Sequence, residues 1–171
     1  SKSASDLICQ SYSKTYSLSV GILRCTNLYG PGDFNLKRII PETIIKSIKK
    51  EKLTIRSNGK LTRDYLFVED AVKAYILVMK SLLKSKKNKL LIYNVSSKFN
   101  SNVINLVKNI QLKINNSLDY LIKNTSKMEN RNQKLNFTKI QKELNWKPIT
   151  NLDNGLNKTI EWYKSNISKF K

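Results

Sequence analysis

No histidine occurs in these 171 residues, and the two cysteines, Cys9 and Cys25, are too far apart for a Cys-x-x-Cys pair. That removes the usual zinc-ligand sets, and two free thiols suit a reducing cytoplasm better than a disulfide framework. The five glycines include no Gly-x-x-Gly-x-x-Gly run, so no glycine-rich dinucleotide turn is encoded here. Long apolar stretches are also missing. With no run of about 18 apolar residues and no apolar leader core, nothing speaks for a membrane span or for export.

Acidic residues are scarce, 12 against 32 lysines and arginines, which leaves a net charge of +20. A field of that size attracts polyanions. The lysines, however, are scattered at helix-surface spacing among an excess of isoleucine and asparagine, and no aromatic residues interleave with a basic run to form a stacking surface. The pattern reads as a solvated surface shaped by biased codon composition, and the cluster from Lys84 to Lys89 as a loop. A nucleic-acid-binding module is the weaker alternative, and its mark would be a salt dependence of roughly 0.9 log unit per phosphate contact.

An apolar content of 40% is that of a globular domain with a sizeable core. The stretch that organises the rest is Arg24-Cys25-Thr26-Asn27-Leu28-Tyr29-Gly30-Pro31-Gly32-Asp33. Ser19 to Leu23, apolar with β-branched residues, reads as a buried strand of a parallel sheet. Arg24, Thr26 and Asn27 follow at its carboxyl end, where such sheets bind ligands, and Gly30-Pro31-Gly32 fixes a turn.

Before that stretch, Ala4, Leu7, Ile8, Ser11 and Tyr12 share one face of a helix over 3–16, which Lys2 opens. After it, Ile39, Ile40, Ile44, Ile45 and Ile48 line a helix that Pro41 can begin. Leu53 to Ser57 and Leu61 to Val68 flank Asn58-Gly59-Lys60, a hairpin signal. Asp70 is placed to cap a helix with Ala71, Ala74, Tyr75, Val78, Met79 and Leu82 inward. Leu90 to Val95 reads as a second buried strand, and Ser101 as the cap of a helix packed through Val103, Leu106, Val107 and Ile110. Leu118 to Ile122 is a weak strand signal, and Met128 to Lys134 reads as a polar loop. Asn136 opens a short helix that ends at Trp146-Lys147-Pro148. A terminal helix opens near Asp153 and carries Leu156, Ile160, Trp162 and Tyr163.

Several of these strings resemble one family. Arg24-x-x-Asn27-x-Tyr29-Gly30-Pro31 is similar to the strand end of extended short-chain dehydrogenases acting on nucleotide sugars, the NAD-dependent epimerase/dehydratase family. Ser1-Lys2 resembles the end of its Tyr-x-x-Ser-Lys motif. Arg63-Asp64-Tyr65-Leu66-Phe67-Val68-Glu69-Asp70 resembles its Arg-Asp-aromatic-x-x-Val-x-Asp segment, and Leu144-Asn145-Trp146-Lys147-Pro148 its Leu-Gly-Trp-x-Pro. The strings Ser1 to Ile8 and Asn27 to Asp33 are most similar to CDP-glucose 4,6-dehydratases. Two departures stand out: Ser96-Ser97-Lys98-Phe99 replaces a loop that usually carries glycine, and Asn136 replaces an aspartate.

The resemblance implies an α/β fold, with residues 1–171 as the C-terminal half of such an enzyme. They would supply the last parallel strands and helices of a Rossmann-type sheet, interleaved with a small mixed α/β substrate-binding lobe, while the glycine-rich NAD-binding half would lie upstream. The implied activity is a nucleotide-sugar 4,6-dehydration using NAD, in a cytoplasmic homo-oligomer that takes a nucleotide-diphosphate sugar and neither nucleic acid nor membrane. A nucleotide-sugar epimerase is the alternative within the family. Lys2 would be catalytic and cofactor-binding, touching the nicotinamide ribose and lowering the pKa of an upstream tyrosine. Asn27, Arg38 and Arg63 would bind substrate, Arg63 through a bidentate fork on the diphosphate. Without the family pattern Lys2 reads as an exposed lysine, Arg38 as a surface arginine and Arg63 as a partner of Asp64 or a neighbouring strand charge. The residues as they stand are expected to bind NAD poorly and to lack dehydratase activity.

Overall fold

The computed structural model describes residues 1–85, 87–115, 119–125 and 130–170. Its first helix, α1 (Lys2–Thr15), leads to β1 (Val20–Cys25), which extends past the apolar stretch, so that Arg24 lies inside the strand and not in the loop after it. Then come β2 (Asn27–Tyr29), α2 (Ile39–Lys49), β3 (Leu53–Ile55), β4 (Thr62–Phe67), α3 (Val68–Leu83) and β5 (Leu90–Val95). The remainder is β6 (Asn100–Asn102), α4 (Val103–Ile114), β7 (Tyr120–Ile122), β8 (Asn132–Gln133), α5 (Thr138–Leu144), α6 (Leu152–Ser165) and a 3-10 turn at Ile167–Lys169.

β1 and β5 pair in parallel, Gly21 opposite Leu91 and Arg24 opposite Asn94, and α3 lies in the crossover that a parallel pair requires. Alternation along β5 buries Leu91, Tyr93 and Val95, which pack with Ala71, Ala74 and Val78 of α3, Ile140 of α5, and Trp146. The approach is close: a Cβ on Gly21 would lie 2.5 Å from Val78 Cγ1. A second core forms where Tyr29, Tyr65 and Phe67 of the parallel pair β2–β4 meet apolar faces of α2, α4 and α6. β6 joins β4 antiparallel and β8 joins it parallel, making the mixed lobe. No helix among the described residues is long and apolar enough to cross a membrane.

The hairpin is not formed. β3 pairs in parallel with β7, and β4 pairs with β2, β6 and β8. The Asn58-Gly59 turn exists, with Ser57 Oγ accepting from Gly59 N and Asn58 Oδ1 from Lys60 N, but the Gly59 carbonyl accepts from Ile104 N at the start of α4. Docking on α4 thus sends the two arms to different sheets.

Asp70 does not cap α3. Fully buried in the first turn, its Oδ2 accepts from the main-chain N–H groups of Ile149 (3.2 Å) and Thr150 (2.8 Å), while Trp146 Nε1 donates to its carbonyl (3.0 Å). It therefore ties the segment after α5 to α3. Asp70→Ala is expected to cost about 1–3 kcal/mol, since two part-buried main-chain donors lose a charged acceptor; the urea midpoint of the variant measures it.

At α4 the cap is Asn102, whose Oδ1 accepts from Asn105 N, and Ser101 instead belongs to β6. Residues 132–133 of the expected polar loop form β8, drawn into order by β4; Met128 and Leu118 lie outside the described residues. The N-cap position of α5 falls on Phe137, which makes no side-chain cap bond; Asn136, one residue earlier, instead closes a turn into the helix, its Oδ1 accepting from Thr138 N.

Two apolar helix faces point outward. α1 meets β1 through Asp6, which pairs with Arg24, and the segment before β1 through Ser13, whose Oγ donates to the Leu18 carbonyl, while Leu7, Ile8 and Tyr12 are exposed. On α3, Tyr75 and Met79 are likewise exposed, contrary to the inward stripe expected. Periodicity identified both faces but could not say which partner each meets.

Buried tyrosines give the fold an alkaline limit. Burial pushes the Tyr65 phenol up to about 12 and, with Glu143 beside it, Tyr93 to about 12. The folded state favours the neutral phenols over an unfolded value of ~10, so their contribution is complete below pH ~10 and is lost as pH rises toward 12. Urea midpoints are expected to hold to about pH 9 and to fall between pH 10 and 12.

Candidate functional site

At the carboxyl end of β1, where loops from successive elements converge, a cleft of about 1230 Å³ opens between α1, β1–β2, the start of α2, the end of β3, and β4. Lys2 of α1, Asn27 of β2, Arg38 just before α2 and Arg63 of β4 all line it.

Asn27 opens β2. Its Nδ2 donates to the Asp64 carbonyl (3.2 Å), as does Thr26 Oγ1 (3.1 Å). A carbonyl accepts only from a donor, so the amide orientation is fixed: Oδ1 and one N–H remain for a ligand. Arg63 and Asp64 are neighbours on β4, and strand alternation sends them to opposite faces. Arg63 Nη1 donates to the carbonyls of Thr62 (2.9 Å) and Asn130 (2.7 Å). The buried Asp64 carboxylate accepts from Ser96 Oγ (2.9 Å) and Leu135 N (3.0 Å), so Asp64 is not the strand partner of Arg63. Ser96 and the equally buried Ser97, whose Oγ donates to the Tyr65 carbonyl, fill the loop after β5.

Arg38 is the residue before α2, and one guanidinium N–H is engaged by Asp33 Oδ2 at 3.0 Å. A guanidinium has five, so most of its donors stay uncommitted. The turn that delivers Asp33 is narrow: a Cβ on Gly30 would lie 2.4 Å from Val68 Cγ1, and Gly32 has φ +82°. Lys2, at the other end, sits near Cys25. Burial pushes that thiol up, against the opposing influence of a hydrogen bond with Tyr75 and of the Lys2 ammonium.

Charge in the cleft is unbalanced. Six cations, Lys2, Arg24, Lys37, Arg38, Arg56 and Arg63, face three carboxylates, Asp6, Asp33 and Glu42. Asp6 binds Arg24 at 2.7 Å, which holds its carboxyl below the ordinary value, and Glu42 binds Arg56 at 3.3 Å. The remaining positive field suits a multiply charged anion. Sequence reasoning missed Gln133, Arg56 and Lys37 as lining residues: Gln133 sits in a polar stretch without period, and nothing marks the end of a three-residue strand as a wall.

The profile of the NAD dependent epimerase/dehydratase family matches residues 1–96. A probable dTDP-glucose 4,6-dehydratase of Sinorhizobium fredii is 31% identical over 97% of this chain and 48% of its own length. The human dTDP-D-glucose 4,6-dehydratase is 31% identical over 100% and 49%. Among solved structures, a dTDP-glucose 4,6-dehydratase of Bacillus anthracis in complex with NAD superposes with TM-score 0.81 at 27% identity, covering 95% of this chain and 50% of that one. A Thermotoga maritima UDP-glucose 4-epimerase shares the fold with TM-score 0.85 at 24% identity, covering 97% and 52%. The chain spans about half the length of the curated relatives it matches. On the family profile, and on motifs that line one cleft, the chain belongs to the NAD dependent epimerase/dehydratase family.

Proposed function

We propose that this chain forms the substrate-binding half of a nucleotide-sugar 4,6-dehydratase and that the cleft receives the nucleotide-diphosphate sugar. The observation that carries the reading is the convergence of Lys2, Asn27, Arg38 and Arg63 on one cationic cleft. Arg63 and Arg38 would grip the diphosphate, each hydrogen bond to charge contributing ~1.5–3 kcal/mol. Asn27 would bind a neighbouring sugar or phosphate group through Oδ1 and its free N–H.

The residues also fit NAD. The Lys2 end of the cleft offers an ammonium beside Cys25 and Tyr75, and the volume exceeds that of most single small-molecule sites. NAD, when bound, supplies the hydride acceptor and donor for oxidation at the sugar C4 and reduction at C6, between which water leaves across C5 and C6. Lys2 would hold the nicotinamide ribose and stabilise the phenolate of an upstream tyrosine. A homo-oligomer of the full-length protein is consistent with the exposed Leu7, Ile8 and Tyr12 of α1.

Incubating the full-length protein with NAD and the CDP, dTDP and UDP glucose esters, with product masses measured, tests the reading. A dehydratase yields a product lighter by one water. An epimerase returns the hydride to C4 and leaves the mass unchanged, and no turnover of any ester would contradict both. The cytidine ester suggested by the sequence strings and the thymidine ester named in the relatives compete directly in this assay.

A further inference from the structure

The segment that carries Arg38 rests on the C-terminal helix at three points. Tyr163, fully buried on α6, donates its hydroxyl to the Asp33 carbonyl. Phe34 packs edge-on against Trp162 (5.8 Å between centroids) and stacks on Phe170 (5.2 Å). Before the turn, Tyr29 lies against α6, its hydroxyl 3.5 Å from the Leu152 carbonyl and within 2.1 Å of where a Cβ on Gly155 would stand. From Asp33 the chain of contacts runs into the cleft: Oδ1 accepts from Asn35 N, Oδ2 pairs with Arg38, and Arg38 N donates to the Asn35 carbonyl. The Tyr163 phenol is pushed up by burial first and then by Asp33, while Arg38 opposes the rise, so these three groups share one electrostatic neighbourhood.

Side-chain and main-chain roles at Asp33 are separate. The Asp33 carboxylate holds the guanidinium, and Tyr163 holds the Asp33 main chain. α6 makes no appearance among the residues lining the cleft, yet it fixes the segment on which an arginine of the cleft is mounted.

We propose that Tyr163 is a positioning residue for anion binding, acting through Asp33 on Arg38, so that the C-terminal helix presets the arginine before a nucleoside diphosphate arrives. This rests on the reading of the cleft as a diphosphate site. Loss of the hydroxyl frees the Asp33–Arg38 segment, which must then be ordered on binding, and affinity falls by that cost.

The experiment is calorimetric titration of thymidine diphosphate into the full-length protein and its Tyr163→Phe, Arg38→Ala, Arg63→Ala and paired variants. Tyr163→Phe is expected to weaken binding roughly three- to tenfold, the size of one lost neutral hydrogen bond. In the Arg38→Ala background the same change should have no further effect, whereas with Arg63→Ala it should add in full, because residues joined through one hydrogen-bonded segment couple while independent ones add. A merely structural tyrosine would weaken binding equally in all three backgrounds, which overturns the proposal, as does an unchanged affinity for Tyr163→Phe alone. If Arg38→Ala is silent while Arg63→Ala weakens binding, the positioning role is overturned and the diphosphate site stands. If both arginine variants are silent, the site reading falls and the positioning role with it. Phe34→Ala, at an exposed position, repeats the test should Tyr163→Phe fail to fold, with the same expected dependence on Arg38.

Discussion

Arg63→Ala in the full-length protein is expected to raise KM for the nucleotide sugar by roughly ten- to 150-fold, the equivalent of one charge-assisted interaction, with kcat little changed. The reasoning is that the diphosphate does not react: a group that grips it equally in the ground and transition states contributes uniform binding, and its removal appears in KM alone. Arg63 has a defined geometry at the edge of the cleft, its Nη1 donating to the Thr62 and Asn130 carbonyls. Arg63→Lys should recover only part of the loss, because an ammonium keeps the charge but not the planar fork. Steady-state kinetics on the two variants measures both effects. An unchanged KM would leave Arg63 as a strand residue anchoring the segment at Asn130.

Lys2→Ala is expected to show the opposite split, a fall in kcat of about 10²- to 10⁴-fold with a smaller change in KM. Lys2 stands at the first turn of α1 and lines the end of the cleft next to Cys25, and the split follows from the proposal that it acts on the cofactor. If its ammonium stabilises a phenolate, its loss raises that tyrosine's pKa, and the pH–rate profile should shift to higher pH along with the fall in rate. A variant with normal kcat and an unshifted profile would return Lys2 to an exposed surface lysine.

What the sequence made legible was whatever depends on local pattern. The parallel pair β1–β5 follows from two short apolar runs, and α2 and α4 from isoleucine, leucine and valine at helical spacing. The four candidate residues were legible only because family motifs fixed their positions, since composition alone gives Lys2 or Arg38 no distinction. Long-range choices were not legible. Asp70 has the sequence signature of a cap, yet its carboxylate is taken by Ile149 and Thr150 about eighty positions later. Asn58-Gly59 has the signature of a hairpin, but Ile104 docks on it and β7 claims β3. Ser96 and Ser97 stand out in the sequence only as a departure from a glycine loop, yet they hold the Asp64 carboxylate and the Tyr65 carbonyl from inside the core. In each case a buried polar group found its partner across the fold, and burial makes such partners obligatory without naming them in the sequence.

The same rule explains why the cleft is built as it is. Asp64 lies behind the cleft wall, its carbonyl orienting Asn27 and its carboxylate tying two loops to β4, so that Arg63 on the opposite face is presented by a strand with little freedom. Preorganisation of this kind lowers the ordering cost of binding an anion.

Amide hydrogen exchange of the full-length protein with and without thymidine diphosphate tests the location of the site most directly. Slowed exchange is predicted over residues 27–38 and 62–65, with the outer surface of α4 unchanged. Protection that spares both segments and falls elsewhere on the chain would contradict the assignment of the cleft.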